Sequence, residues 1–197
     1  YVTDEKEQSQ YINMFREEKL NAVILTHNID NPFITHEEQK HENVKFLRID
    51  ADVNEIFKEE VKEEDKETLE NQAKTLTETF RKALGNDKLE VKVEKLKNES
   101  VSSMITVAEE TRRMQEMMKM YNMYGMDPSM FGGQETLILN AKHPLVQYIL
   151  KNGENDNTSL FCEQLYDLAM ISHKPLSPDE MTKFVSRSNQ IMMLLAK

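Results

Sequence analysis

Five histidines and a single cysteine are the residues of this 197-residue chain that could ligate a metal or attack a substrate. His27, His36, His41, His143 and His173 are scattered. His36 and His41 stand five apart, which is wrong for one helix face, and no cysteine pair accompanies them. Cys162 falls inside an apolar helical pattern and reads as a small core hydrophobe rather than a nucleophile. Gly132-Gly133 has no Lys-Ser/Thr downstream, so it is no phosphate-cradling loop, and five glycines in all leave no dinucleotide fingerprint. Carboxylates are abundant, yet nothing in the sequence pairs two of them across a cleft. The chain taken alone is therefore expected to be no enzyme and to hold neither metal nor cofactor.

What the sequence does advertise is adaptable apolar binding. Eight of its thirteen methionines lie between Met104 and Met130. Methionine is unbranched and polarizable, and proteins overuse it on promiscuous apolar surfaces. On a helix Met114, Met117, Met118 and Tyr121 fall at i, i+3, i+4 and i+7 and make one stripe. Met120, Met123 and Tyr124 lie off it, so the helix carries more apolar surface than one buried face needs. Two readings stand: a core helix built from methionine, or a surface for unspecified protein segments.

The elements that must position this stretch can be read from periodicity. Residues 1–50 suggest a β-α-β-β piece: a strand at 1–3, a helix at 5–18 with Tyr11, Ile12, Met14 and Phe15 inward, and strands at 22–27 and 44–50. Ala22-Val23-Ile24-Leu25 is continuously apolar, as in a strand covered on both faces of a small parallel sheet. Over 50–70, ten acids face three lysines. Such a run is a solvated linker or helix surface and marks a domain boundary. A helix at 66–84 follows, with Leu69, Ala73, Leu76, Phe80 and Leu84 inward and Gly85 placed as its left-handed cap. Strands at 89–96, 101–107 and 136–140, the Met helix at 108–124 and a short helix at 144–151 come next. The fold class is α+β, with residues 1–55 the tail of an α/β domain and residues 56–197 a second domain.

Two helices close the chain. The one at 158–172 is apolar nearly all round: Leu160, Phe161, Cys162, Leu165, Leu168, Ala169, Met170 and Ile171. In the last, Ser177-Pro178-Asp179-Glu180 offers an N-cap, a proline at N1 and a glutamate at N3, a capping box. Its seam of Met181, Phe184, Ser188, Ile191 and Leu195 steps by three and four, and Val185 and Met192 widen it. That seam could close on helix 158–172 within one chain. Two such hairpins could instead pair across a two-fold axis into a four-helix dimer bundle, with Phe161, Leu165 and Leu168 contributing.

The net charge of −10 argues against nucleic acid and anionic membranes as partners. No apolar run approaches the roughly 20 residues of a membrane span. The N-terminus has no signal-peptide pattern and no initiator Met, so a piece of a longer protein is expected, and the lone cysteine suits a reducing cytoplasm.

Several runs together resemble one family. They are Tyr1-Val2-Thr3-Asp4-Glu5-Lys6-Glu7-Gln8-Ser9-Gln10-Tyr11-Ile12-Asn13-Met14-Phe15, Asp30-Asn31-Pro32-Phe33-Ile34, Val44-Lys45-Phe46-Leu47-Arg48-Ile49-Asp50, the stretch 103–120, and Leu139-Asn140-Ala141-Lys142-His143-Pro144-Leu145-Val146. The chain resembles the C-terminal half of bacterial ninety-kilodalton heat-shock chaperones of the HtpG type, although Ala141 stands where the family often has proline. The resemblance implies that residues 1–55 end a middle domain and that the rest is a dimerisation domain whose last two helices build the dimer bundle. It implies a homodimer in the bacterial cytoplasm that holds unfolded or partly folded clients. Met114, Met117, Met118, Tyr121 and Met123 would belong to that client surface. ATP and magnesium, the family's cofactors, would be held by segments upstream of Tyr1. The C-terminus lacks the acidic tail of cytosolic eukaryotic members, which fits a bacterial origin.

Overall fold

The computed structural model describes residues 1–27, 29–51, 57–108, 111, 113, 135–153 and 155–196, with Asp156 and Leu195 described in their backbone alone. The chain divides into two compact units, one within Tyr1–Val53 and Val107–Gly133, the other within Asn54–Thr106 and Gln134–Lys197. It is a mixed α+β protein, with six helices and a three-stranded sheet among the described residues.

In the first unit the opening residues thread between two segments. The Val2 amide donates to the Val23 carbonyl (2.8 Å), the Leu25 amide to the Val2 carbonyl (2.7 Å) and the Ile49 amide to the Tyr1 carbonyl (2.8 Å). The parallel direction expected here is present, but only as a single bridge between Val2 and Ile24. The strands expected at 22–27 and 44–50 do not form as ladders, because a three-residue centre supplies few hydrogen bonds to either side. Val23 and Ile24 are exposed, so the apolar run is not covered on both faces. Helix α1 (Ser9–Glu17) buries Tyr11 and Met14, with Ile12 and Phe15 half-buried beside them. Gln8 binds its entrance by accepting from the Thr3 and Asp4 amides at 2.8 and 3.1 Å.

Helix α2 (Asp30–Lys40) escapes periodicity, since Ile34 is its one buried residue and no apolar stripe marks it. Pro32 sits in its first turn, where a missing N–H costs nothing. The Glu38 carboxylate of α2 accepts from the Phe46 amide (2.7 Å) and from both terminal nitrogens of Arg113 (2.6 and 3.0 Å). Arg113 also donates to the Phe46 carbonyl (2.8 Å). The guanidinium holds the Glu38 carboxyl below the usual range, with the Phe46 amide assisting.

The second unit carries the core. Helix α3 (Glu63–Leu84) starts inside the acidic run, whose Glu63, Glu64 and Asp65 occupy its first turn, where the helix dipole favours negative charge. Just before it, 57–59 pair with 95–97 around a Lys58–Leu96 bridge, so the described part of that run is not a free linker. Strands β1 (Glu90–Glu94), β2 (Ser103–Val107) and β3 (Glu135–Asn140) lie in the order β1-β3-β2, with β1 parallel to β3. Consecutive β1 and β2 are thus kept apart by the strand that arrives last. β2 is buried along its whole length, and α3 packs across β1. Helices α4 (Pro144–Asn152), α5 (Asp156–Ile171) and α6 (Pro178–Leu195) complete the unit. Leu76 and Phe80 of α3, Ile105, Leu137, Leu139, Val146, Ile149, Cys162 and Leu165 form one cluster with little or no exposed area.

Candidate functional site

The α5–α6 hairpin concentrates most of the residues singled out for assembly. α5 turns one side to the core: Cys162, Leu165 and Ala169 are buried there. Burial pushes the Cys162 thiol up to about 12, with the Glu163 carboxylate adding to the effect, so it behaves as a packed hydrophobe. Leu165 is 1% exposed and belongs to this core. An apolar-all-round pattern does not say which side meets the chain's own sheet. Phe161 is half-buried against the core, its ring edge-on to Tyr148 at 5.2 Å between centroids. Leu168 remains exposed.

α6 begins with the expected capping box. The Ser177 hydroxyl accepts from the Glu180 amide (3.3 Å), and the Glu180 carboxylate from the Ser177 amide (2.8 Å). The Ser177 side chain, and after it the Ser177 amide, hold the Glu180 carboxyl below its usual range. Further along, the seam read from sequence divides. Phe184, Ser188 and Ile191 are half-buried, and Ser188 accepts from the Gln164 side chain of α5 at 3.0 Å. Met181, Val185 and Met192 lie to one side of them and are 41, 50 and 57% exposed. Leu195 has no described side chain.

Between the helices sits a feature that the apolar reading passed over. Arg187, 8% exposed, places its Nε 2.9 Å from Glu163 Oε2 and its Nη1 2.6 Å from Asp167 Oδ2. Its Nη2 also lies 2.9 Å from Glu163 Oε2. The sequence carried a signal for it: an arginine at 187 within an apolar helix, and acids one turn apart at 163 and 167 on the helix before.

Met114, Met117, Met118, Tyr121 and Met123 lie outside the described residues. Arg113, just before them, is held by Glu38 in the first unit as described above. Among the described residues no His, Cys, Asp and Glu side chains gather to hold a metal ion, and no helix is long and apolar enough to cross a membrane. A small polar pocket between α3, the end of β1 and α4 contains Lys95 and Lys142. Both are already engaged, Lys95 by Asp65 (3.0 Å) and Lys142 by Glu59 (2.8 Å) and Glu99 (2.6 Å).

These features define an α+β module closed by a helix hairpin that keeps an apolar side uncovered. The sequence model described as "Hsp90 protein" matches residues 2–197. The chaperone protein HtpG of Bacteroides thetaiotaomicron is 34% identical over 163 residues, 78% of this chain and 23% of that protein. The Bacteroides fragilis strain 638R protein of the same name is 32% identical over 164 residues, and the Porphyromonas gingivalis ATCC 33277 one 29% over 164. The chain belongs to the Hsp90 family of chaperones. The alignments span 23% of the length of these relatives.

Proposed function

We propose that this chain is the part of an ATP-dependent chaperone that joins two copies and offers part of the client surface. The observation that carries the reading is the outward side of α6, where Met181, Val185 and Met192 remain exposed although the hairpin beneath them is already packed. Each apolar side chain taken from water contributes roughly 1.5–3 kcal/mol. Leu168 and Ile171 of α5 are exposed as well, so two hairpins together offer enough apolar area to exceed an association cost of roughly 4–15 kcal/mol. A four-helix bundle formed by two α5–α6 hairpins is the arrangement this favours.

Within this reading, residues 1–55 are the end of a middle domain and 56–197 the dimerisation domain. Met114, Met117, Met118, Tyr121 and Met123 contact unfolded or partly folded clients. The chain itself performs no catalysis, ATP and magnesium being held by other parts of the full-length protein. Its setting is the bacterial cytoplasm, and neither nucleic acid nor membrane is a partner. Family membership and the HtpG names of the relatives support the chaperone role.

Sedimentation velocity over a dilution series tests the assembly. A species of twice the chain mass that persists below about micromolar concentration, the range of specific interfaces, is expected. A monomer throughout would refute it. For the client surface, Met114, Met117 and Met118 replaced by Ser in the full-length protein should weaken suppression of client aggregation without lowering the melting temperature.

A further inference from the structure

α6 has two apolar sides, and only one can lie on α5. Phe184, Ser188 and Ile191 occupy that place, half-buried, although one of them is a serine. Met181, Val185 and Met192 would offer α5 three apolar side chains instead, yet they are left in water. Apolar burial alone favours turning α6 about its axis until those three are hidden. A hairpin turned that way would bring Phe184 and Ile191 outward and present a different apolar side to another molecule.

The groups that oppose this turn are polar. Glu163 and Asp167 stand one turn apart on α5, and the Arg187 fork reaches both at once, through Nε at 2.9 Å and Nη1 at 2.6 Å. The Gln164 amide adds a neutral tie to the Ser188 hydroxyl at 3.0 Å. A largely buried ion pair adds little net stability, since desolvation offsets attraction, but separating its members is costly. Rotating α6 would carry Arg187 away from both carboxylates. Directional polar contacts therefore select one roll where apolar contacts would accept several.

We propose that the Arg187 fork on Glu163 and Asp167 is a positioning device for dimerisation: it fixes the roll of α6 and keeps the Met181, Val185 and Met192 side free for a second copy of this chain. The inference rests on the dimer reading above and adds what sets its geometry. It makes Arg187 a residue that acts on assembly without touching the partner.

The test compares melting temperature with dimer dissociation constant in the 197-residue chain. Sedimentation velocity of the wild type comes first; a wild-type monomer refutes the dimer reading itself. The triple variant Glu163→Leu, Asp167→Leu, Arg187→Met replaces the polar knot by apolar groups. It should keep or raise the melting temperature while its dissociation constant rises at least about tenfold. A folded triple variant that dimerises as tightly as wild type overturns the proposal. Arg187→Lys keeps the charge and the stem but cannot reach both carboxylates as a fork. It decides the matter if the triple variant does not fold. Wild-type helix content with weakened dimerisation supports the proposal, and wild-type dimerisation overturns it.

Discussion

The Asn140 side chain accepts the Leu96 amide at 3.2 Å, joining the end of β3 to the chain leaving β1 across 44 residues of sequence. Its oxygen also takes the Lys142 amide (3.1 Å), and its nitrogen donates to the carbonyls of Asn98 (3.1 Å) and Val101 (2.9 Å). Asn140 is fully buried, and its bonds to the Leu96 amide and the Val101 carbonyl satisfy backbone groups that water does not reach. Asn140→Asp puts an acceptor against two carbonyls and buries a charge. It should cost about 3 kcal/mol, read as a melting temperature lower by roughly 6–12 °C. An unchanged melting curve would show that the amide nitrogen does not hold those carbonyls.

His143 caps α4 through Nδ1, which accepts the Leu145 amide at 3.2 Å and must be unprotonated to do so. Partial burial pushes the same imidazole below its ordinary pKa of 6.5. A histidine with a depressed folded pKa contributes stability that is fully present above the unfolded value. That contribution is lost as pH falls from there through the folded one. The wild type should therefore lose melting temperature between about pH 7.5 and 5 more steeply than His143→Asn, whose cap does not titrate. Parallel curves for the two proteins would exclude His143 as the titrating group.

Gly85 ends α3 with φ 60° and ψ 30°, and the Asn86 amide beyond it donates back to the Arg81 carbonyl at 3.1 Å. A Cβ placed there would meet nothing within 4 Å, so the only obstacle to another residue is the backbone angle. Gly85→Ala should then cost about 1 kcal/mol, and Gly85→Asn less, because asparagine tolerates the left-handed region. Equal losses from both, measured by urea titration, would point to a steric cause instead.

Cys162 has no exposed surface, and burial raises its thiol to about 12. An aromatic disulfide reagent near pH 8 should leave the folded protein unlabelled and react with one thiol per chain once urea unfolds it. Rapid labelling of the native protein would place that sulfur at the surface.

The second unit was more legible in the sequence than the first, for physical reasons. In α3, Leu69, Ala73, Leu76, Phe80 and Leu84 repeat with helical spacing because one side of a long helix covers the sheet. The Gly85 and Ser177 caps were readable because each rests on local chemistry. The 22–27 and 44–50 runs have the apolar content of strands but form no ladders, since apolar content does not ensure coverage and Val23, Ile24 and Leu47 are exposed. α2 was silent because it buries one residue, and proline at its start reads as a turn. At the hairpin, periodicity identified apolar sides but not which of them faces α5. That choice is made by Arg187, Glu163 and Asp167, whose pairing is tertiary and leaves no period.

The divided seam of α6 changes which substitutions test the dimer. Phe184 and Ile191 are half-buried with Ser188, which accepts from Gln164 of α5, so glutamate at 184 and 191 would disturb the hairpin together with any interface. Val185 and Met192 are half exposed or more and free of that role. Val185→Glu combined with Met192→Glu sets charges where a second copy would bury them unpaired, which costs several kcal/mol per ion against about 1.4 kcal/mol per tenfold in affinity. The double variant should therefore sediment as a monomer at concentrations where wild type is dimeric, with unchanged helical circular dichroism and melting of the monomer. Glutamate at the exposed Lys183 is the matched control and should leave the dimer intact. A double variant that still dimerises would move the interface off this side of α6 altogether.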